Sequence, residues 1–201
     1  TADKLAEFQN LAPLERVKLG LKIASRPVIT TNFRPYEAAI LHLVVSQKPD
    51  IPVIWCDTGY NTKATYEHAS ELIIRLNLNI DMFIPERTAA YRDAEFNGIP
   101  EVNTAAHDQF TQEVKLEPFN RAWDKYQPDL WFTNLRVGQT ALRDTIGSAS
   151  IGKGNSLKLS PFYELSDDEL DEYLKQHGLT NEFDYYDPTK VESNRECGLH
   201  T

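Results

Sequence analysis

Short apolar segments alternate with helical patterns along the first half of the chain, and this alternation restricts the fold more than any other feature. Residues 27–31, 51–56 and 79–84 have the composition of short buried strands, while 36–45 and 63–76 carry apolar residues at helical spacing. Strand, helix, strand, helix, strand within about sixty residues is typical of βαβ units. We therefore predict a parallel sheet with helices on both faces.

The rest of the chain continues this pattern. A helical pattern at 11–23 precedes the first strand, and helical patterns at 119–126 and 166–177 accompany strand patterns at 130–133 and 157–161. The sequence therefore predicts one α/β domain whose sheet is mostly parallel.

The last predicted helix has clear boundaries. Ser166 is a good N-cap, Glu169 completes a capping box, and Gly178 is a typical residue just past a helix end. No clear periodicity follows, so we predict a folded domain over 1–179 and an extended tail over 180–201.

The charge balance restricts the partners that this chain can have. Its 201 residues include 30 acidic and 21 basic side chains, a net charge of −9, which argues against non-specific nucleic-acid binding. No apolar run approaches the ~18–20 residues of a membrane span, and residues 1–20 have the pattern of a charged amphipathic helix, not of a signal peptide. We expect a cytoplasmic protein with neither a nucleic-acid nor a membrane partner, and we leave a homodimer open.

The two cysteines, Cys56 and Cys197, lie far apart in the sequence. They form nothing like a disulfide framework, which favours a reducing compartment. Two thiolates also cannot complete a four-thiolate metal or iron–sulfur site within one chain. We therefore expect no metal and no iron–sulfur cluster.

Polar residues follow the first predicted strand at the point where its helix begins. These residues combine hydroxyls, an amide and a guanidinium with the N–H groups of a helix start, a favourable set for an anion: Thr30, Thr31, Asn32, Phe33 and Arg34. Because the glycines of a nucleotide-binding loop are absent, a simple capped turn is an equally good interpretation.

A second candidate group follows the second predicted strand. Asp57 could accept a hydrogen bond from a ribose or an adenine amine, and Thr58 and Gly59 complete either a ligand contact or a tight turn. Parallel-sheet ligands bind outside the carboxyl ends of strands, so this position suits a ligand.

An arginine-rich segment follows the strand at 130–133. Arg136, Gln139 and Arg143 suit a polyanion because guanidinium groups bind phosphate or sulfate in bidentate fashion. Solvated surface arginines are the alternative. A second pair of cations, Lys190 with Arg195, lies near the C-terminus.

The tail carries a candidate nucleophile, Cys197. Thiols react as thiolates, and Arg195 and a protonated His200 nearby would lower the pKa of this thiol. The pattern by itself leaves open a frayed tail with an incidental cysteine.

The segment at 195–200, Arg-Glu-Cys-Gly-Leu-His, resembles the catalytic tail of the phosphoadenylyl-sulfate (PAPS) and adenylyl-sulfate (APS) reductases. Three other segments occur in the same order as in that family and are similar to its motifs: 57–60, 115–121 and 135–143. Within 115–121, Lys115 belongs to a Lys-Leu-Glu-Pro sequence that is similar to the family's Lys-Val-Glu-Pro. Together the four motifs identify the chain as a member of this family.

The resemblance implies an adenine-nucleotide α-hydrolase-like fold, a three-layer sandwich with a mostly parallel sheet of five or six strands. It implies that residues 1–179 bind the nucleotide and that the 180–201 tail supplies the catalytic Cys197. The Cys197 thiolate would attack the sulfur of PAPS, giving a thiosulfonate and adenosine 3′,5′-bisphosphate. A thioredoxin or glutaredoxin thiol would then release sulfite, as in sulfate assimilation and cysteine biosynthesis.

Departures from the family pattern bear on the substrate. The cysteine pairs that hold an iron–sulfur cluster in the APS-type members are absent, which favours PAPS. Arg34 stands where the family has a glycine, and the segment before the tail, 180–190, is shortened.

Three alternatives share the fold. One is a cluster-free APS reductase. The second is an ATP-using adenylyltransferase or pyrophosphatase relative, although 30–35 does not match the Ser-Gly-Gly-x-Asp-Ser loop of those enzymes. The third is a non-catalytic nucleotide-binding or sensor protein, against which the intact motif at 195–200 argues.

Overall fold

A six-stranded sheet forms the centre of the molecule. The computed structural model describes residues 2–141 and 143–190. In that part of the chain the strand order is β3-β2-β1-β4-β6-β5, and every neighbouring pair is parallel except β5–β6. The prediction of a mostly parallel five- or six-stranded sheet is confirmed. The strands are β1 Pro27–Thr31, β2 Val53–Cys56, β3 Ile80–Phe83, β4 Leu130–Phe132, β5 Ala149–Ile151 and β6 Leu157–Leu159.

Helices precede, connect and follow the strands. They are α1 Ala2–Gln9, α2 Pro13–Ile23, α3 Glu37–Gln47, α4 Lys63–Arg75, α5 Ala89–Phe96, α6 Ala105–Thr111, α7 Glu117–Tyr126 and α8 Asp167–Gln176. A π-helical turn, Gln112–Leu116, joins α6 to α7, and short 3₁₀ turns lie at Arg143–Thr145 and Lys153–Asn155. No helix in the described ranges has both the length and the apolar composition that a bilayer crossing requires.

Local signals set the helix boundaries. Ser166 accepts from the Glu169 N–H and Glu169 reaches back to the Ser166 N–H, so the capping box predicted for α8 is confirmed. The helix predicted at 11–23 is confirmed as α2. The amphipathic pattern over 1–20 covers two helices and not one, because Pro13 starts α2 at a position where its missing N–H costs nothing.

The core has two halves, one on each face of the sheet. Adjacent residues of a strand point to opposite faces. Ile29 packs in the larger cluster with α2, α3 and α8, whereas Val28 packs in the smaller one with Phe119, Trp123 and Trp131. Helices therefore cover both faces, as the strand–helix alternation predicts.

An aromatic contact joins α3 to α8 away from the ends of the strands. The His42 Nδ1 and the Tyr173 hydroxyl lie 2.8 Å apart, and the His42 and His177 rings are 4.3 Å apart between centroids. Burial lowers the pKa of His42, and the nearby His177 and Arg75 lower it further.

This contact should make the protein less stable in mild acid. The unfolded chain takes up the His42 proton near pH 6.5, above the folded-state pKa, so the free energy of unfolding should fall as the pH drops below about 6.5 and level off below the folded-state pKa. His42→Gln should reduce that slope. Chemical denaturation from pH 8 to pH 5 measures it, and equal slopes for the two proteins would contradict the assignment.

Candidate active site

A cleft opens at the carboxyl ends of the strands, where the chain order of the sheet reverses. The chain runs from β1 outward to β2 and β3 and then returns to β4 on the other side of β1. Ligands of open parallel sheets bind at such a reversal. The space within the cleft outside the protein atoms, about 660 Å³, includes open solvent. The described residues that line it are Thr30, Thr31, Asn32, Arg34, Glu37, Ile54, Cys56, Lys115, Phe119, Trp131, Thr133, Asn134, Arg143, Tyr185, Asp187 and Lys190.

Cations gather in this cleft although the protein as a whole is acidic. Lys115, on the π-helical turn, is 2% exposed, and Arg143 is 3% exposed. Lys190 and Arg34 also line the cleft. Buried cations in a cleft attract an anionic ligand much more strongly than exposed ones do.

The Lys115 ammonium contacts the Asp187 carboxylate and lies 3.2 Å from the Thr189 hydroxyl. Burial alone would raise the pKa of Asp187. The Lys115 charge and the Thr189 donors outweigh burial and hold this pKa below its ordinary value. Asp187 is therefore ionised at neutral pH.

A carboxylate from the chain itself occupies the donors of the β1–α3 loop. Glu37, at the start of α3, accepts from the Thr31 hydroxyl and the Asn32 N–H, each at 2.7 Å. The Arg34 Nε also donates to Glu37, at 2.9 Å. The loop therefore has the geometry of an anion site, as the sequence predicts, and the anion that it holds in the structure is Glu37.

The backbone of the same loop is unusual. Phe33 and Tyr36 both have positive φ angles, 53° and 68°, which non-glycine residues rarely adopt. The Phe33 ring packs against Trp55 in the core, with 4.9 Å between ring centroids. Phe33 thus anchors the loop and does not line the cleft.

Asp57, Thr58 and Gly59 form a turn beside the cleft. The Asp57 Oδ1 accepts from the Gly59 N–H at 2.9 Å and from the Asn61 amide at 2.8 Å, and the Tyr66 hydroxyl donates to the same carboxylate. Gly59 has a φ of 81°. The structure gives these residues the contacts of a tight turn and places none of them in the cleft lining.

The two arginines of the predicted anion-binding segment lie in different surroundings. Arg143 lines the cleft, and its Nη1 donates to the Gln139 Oε1 at 2.6 Å. Arg136 instead donates to Asp167 at 2.6 Å and stacks over the Tyr36 ring. Gln139 also accepts from the Arg136 N–H, so it connects the two residues and orients Arg143.

The segment at 181–190 packs across the carboxyl end of the sheet. The Tyr36 N–H donates to the Asn181 Oδ1 at 2.8 Å, and the Thr62 and Thr65 hydroxyls both donate to the Asp184 carbonyl. This segment brings Asp187 and Lys190 into the cleft.

The structure thus brings together seven of the predicted binding residues. Thr30, Thr31, Asn32, Arg34, Lys115, Arg143 and Lys190 line the cleft. Sequence reasoning missed Glu37, Asn134, Tyr185 and Asp187, which line it as well. Glu37 could have been predicted, because an acidic residue in the first turn of a helix lies next to the free N–H groups of the preceding loop. Arg195, Cys197 and His200 lie outside the described residues.

Cys56 is a wall residue of the cleft. Burial raises the pKa of its thiol to about 12, so it is a neutral thiol at physiological pH. A neutral, buried thiol is a poor nucleophile, which favours a structural role for Cys56.

Comparisons with known proteins agree on one family. A family model described as the phosphoadenosine phosphosulfate reductase domain matches residues 26–182. The phosphoadenosine 5′-phosphosulfate reductase of Erwinia tasmaniensis is 33% identical over 98% of this chain and 91% of its own length. The corresponding reductase of Vibrio atlanticus is 30% identical over 97% of this chain and 84% of its own length.

Solved structures show the same fold. A PAPS reductase from Candida auris, in a phosphate complex, superimposes with a TM-score of 0.74 at 16% identity, covering 86% of this chain and 82% of that one. An NH3-dependent NAD synthetase from Campylobacter jejuni gives a TM-score of 0.55 at 15% identity, covering 83% and 71%. The chain therefore has a fold that adenine-nucleotide enzymes share.

Proposed function

The chain belongs to the phosphoadenosine phosphosulfate reductase family, and on this premise we propose that it reduces PAPS to sulfite and adenosine 3′,5′-bisphosphate in sulfate assimilation. The observation that carries the proposal is the cationic cleft at the reversal of strand order, with Lys115 and Arg143 almost completely buried. PAPS is a polyanion, and buried cations of this kind suit one.

In the proposed reaction Cys197 is the nucleophile. Its thiolate attacks the sulfur of the phosphosulfate, forming a sulfur–sulfur bond and breaking the bond from sulfur to the phosphate oxygen. The bisphosphate leaves with that electron pair. A thiolate of thioredoxin or glutaredoxin then attacks the Cys197 Sγ, sulfite leaves with the electron pair of the sulfur–sulfur bond, and a second thiol of the reductant resolves the mixed disulfide.

The first step joins two anions, so it needs positive charge around the reacting sulfur. Lys115 and Arg143 supply fixed cations in the described cleft. Arg195 and His200, next to the nucleophile in sequence, would add to them. Charges placed in advance and shielded from water stabilise a developing anion without reorganisation.

The electrons come from the protein reductant in this proposal. With two cysteines, the chain lacks the four thiolates that an iron–sulfur cluster takes from one subunit. Residues 1–179 would bind the nucleotide and 180–201 would carry the nucleophile. Thioredoxin or glutaredoxin as reductant and a homodimer as the assembly belong to the proposal and are tested by reconstitution with each reductant and by sedimentation.

APS is the second candidate substrate, and one observation favours it. Glu37 already occupies the donors of the β1–α3 loop, which leaves that loop less suited to an additional phosphate. The cleft lining also holds four cations, Arg34, Lys115, Arg143 and Lys190, against two carboxylates, Glu37 and Asp187, and we give this excess of positive charge more weight because it favours the 3′-phosphate.

Side-by-side turnover tests the choice of substrate. With thioredoxin and dithiothreitol, we expect kcat/KM for PAPS to exceed that for APS by about 10- to 150-fold, which corresponds to one or more charge-assisted hydrogen bonds to the 3′-phosphate. Equal or faster reduction of APS would assign the enzyme to APS. Release of sulfite from neither nucleotide would overturn the proposed reductase activity itself.

The two arginines provide a matched comparison. We expect Arg143→Ala to lower kcat/KM for PAPS by about 10- to 150-fold, because it removes a buried guanidinium from the cleft. Arg136→Ala, which removes the contact with Asp167, should lower kcat/KM less. Steady-state kinetics of both variants measures the difference. If Arg136→Ala lowered kcat/KM as much as Arg143→Ala or more, the assignment of Arg143 as the substrate-binding arginine would be wrong.

A further inference from the structure

Asn134 is a buried polar residue that lines the cleft. It lies two residues beyond the end of β4, beside β1 at the reversal of strand order, and it is 5% exposed. Within the part of the chain that the structure describes, neither its Oδ1 nor its Nδ2 makes a hydrogen bond. Exchanging the assignment of Oδ1 and Nδ2 leaves this result the same, because neither atom has a partner among the described residues.

The position of this residue is nevertheless well fixed. The Arg34 guanidinium donates to the Asn134 main-chain carbonyl, and Arg34 is held in turn by Glu37. Burying an amide without a partner costs about 1–3 kcal/mol, so such groups are rare in native proteins unless a ligand or water completes them. Asn134 lines the cleft and is therefore in place to meet a ligand.

The chemistry of the amide indicates which part of a nucleotide it meets. Phosphate and sulfate oxygens only accept hydrogen bonds, so they would satisfy Nδ2 and leave Oδ1 facing an anion. A sugar hydroxyl both donates and accepts, and so does the adenine edge formed by the amino group and a ring nitrogen. Lys115 and Arg143 also line the cleft, and their positive charges suit the anionic groups.

We propose that Asn134 recognises the nucleoside half of the substrate through a paired donor and acceptor, either a ribose hydroxyl or the amino edge of adenine. This inference rests on the proposed function, because it takes an adenine nucleotide as the ligand. It makes Asn134 a determinant of nucleotide specificity, separate from the cations that hold the phosphosulfate.

Equilibrium binding of adenosine 3′,5′-bisphosphate tests the inference without requiring turnover. The probes are this nucleotide, its 2′-deoxy form and its 6-deamino form, measured by calorimetry against the wild type and Asn134→Ala. We expect Asn134→Ala to bind the parent nucleotide about 5- to 100-fold more weakly. The wild type should discriminate against one of the two analogues, and the variant should not. If the variant loses discrimination against the 2′-deoxy form, Asn134 contacts the ribose hydroxyl. If it loses discrimination against the 6-deamino form, Asn134 contacts the adenine base.

Stability separates this role from a structural one. Because the amide has no hydrogen bond to lose among residues 2–141 and 143–190, Asn134→Ala and the similarly sized Asn134→Leu should unfold at the same denaturant concentration as the wild type or a higher one. The inference is overturned if the variants bind the parent nucleotide as the wild type does, or if analogue discrimination is unchanged in Asn134→Ala. A wild type that binds no adenosine 3′,5′-bisphosphate would overturn the proposed function as well.

Discussion

Cys197→Ser is expected to release no measurable sulfite from PAPS, a loss in kcat on the order of 10⁵-fold or more. A serine hydroxyl stays protonated at neutral pH, and it cannot form the sulfur–sulfur bond that the reductant later breaks. Binding of adenosine 3′,5′-bisphosphate should stay within about threefold of the wild type, because the cleft cations Lys115 and Arg143 are unchanged. Sulfite release and calorimetric binding together measure the two expectations.

Cys56→Ser is the matched control, since the chain has one other cysteine. The Cys56 thiol is buried with a pKa of about 12, so its removal should leave kcat within a few-fold of the wild type. Retained turnover in Cys197→Ser combined with lost turnover in Cys56→Ser would reverse the assignment. Mass spectrometry of the wild type with PAPS and no reductant should find the added sulfonate on Cys197.

The central strands could be predicted because parallel strands covered on both faces are nearly continuous apolar runs. All four residues of β2 are buried, and the sequence marks that strand clearly. By contrast, α5 has no apolar stripe, because Arg92 is its one buried residue. The edge strand β5 is three residues long with one of them buried, too little for any periodicity to show.

Part of the candidate site could likewise be predicted from the sequence, and part could not. Strand ends locate Arg34 and Arg143 because the sequence shows which residues follow a buried strand. Sequence does not show which neighbour will satisfy a polar side chain, so Asp57 was a candidate ligand residue although Tyr66 and a turn take up its carboxylate. Asp187 and its partner Lys115 are 72 residues apart in the sequence, and only the folded structure shows that they are in contact.

Lys115→Met is expected to lower both stability and activity. The side chains of Lys115 and Asp187 are 2% and 6% exposed, so the substitution leaves a buried carboxylate without its cation. Breaking such a pair costs about 3–5 kcal/mol in the free energy of unfolding. Loss of a cation from the cleft should also lower kcat/KM for PAPS by about 10- to 150-fold. Urea denaturation and steady-state kinetics measure the two effects.

The double variant Lys115→Met/Asp187→Asn separates these two roles of Lys115. An asparagine at 187 removes the unpaired charge and can still accept from Thr189, as Asp187 does at 2.7 Å, so most of the lost stability should return. Activity should stay low, because the cation that faces the substrate is still missing. If the double variant regained full turnover, Lys115 would serve only to hold the 181–190 segment. If Lys115→Met unfolded at the same urea concentration as the wild type, the buried pair would contribute nothing to stability. With stability restored and turnover still low, the result would place the Lys115 ammonium on the substrate anion.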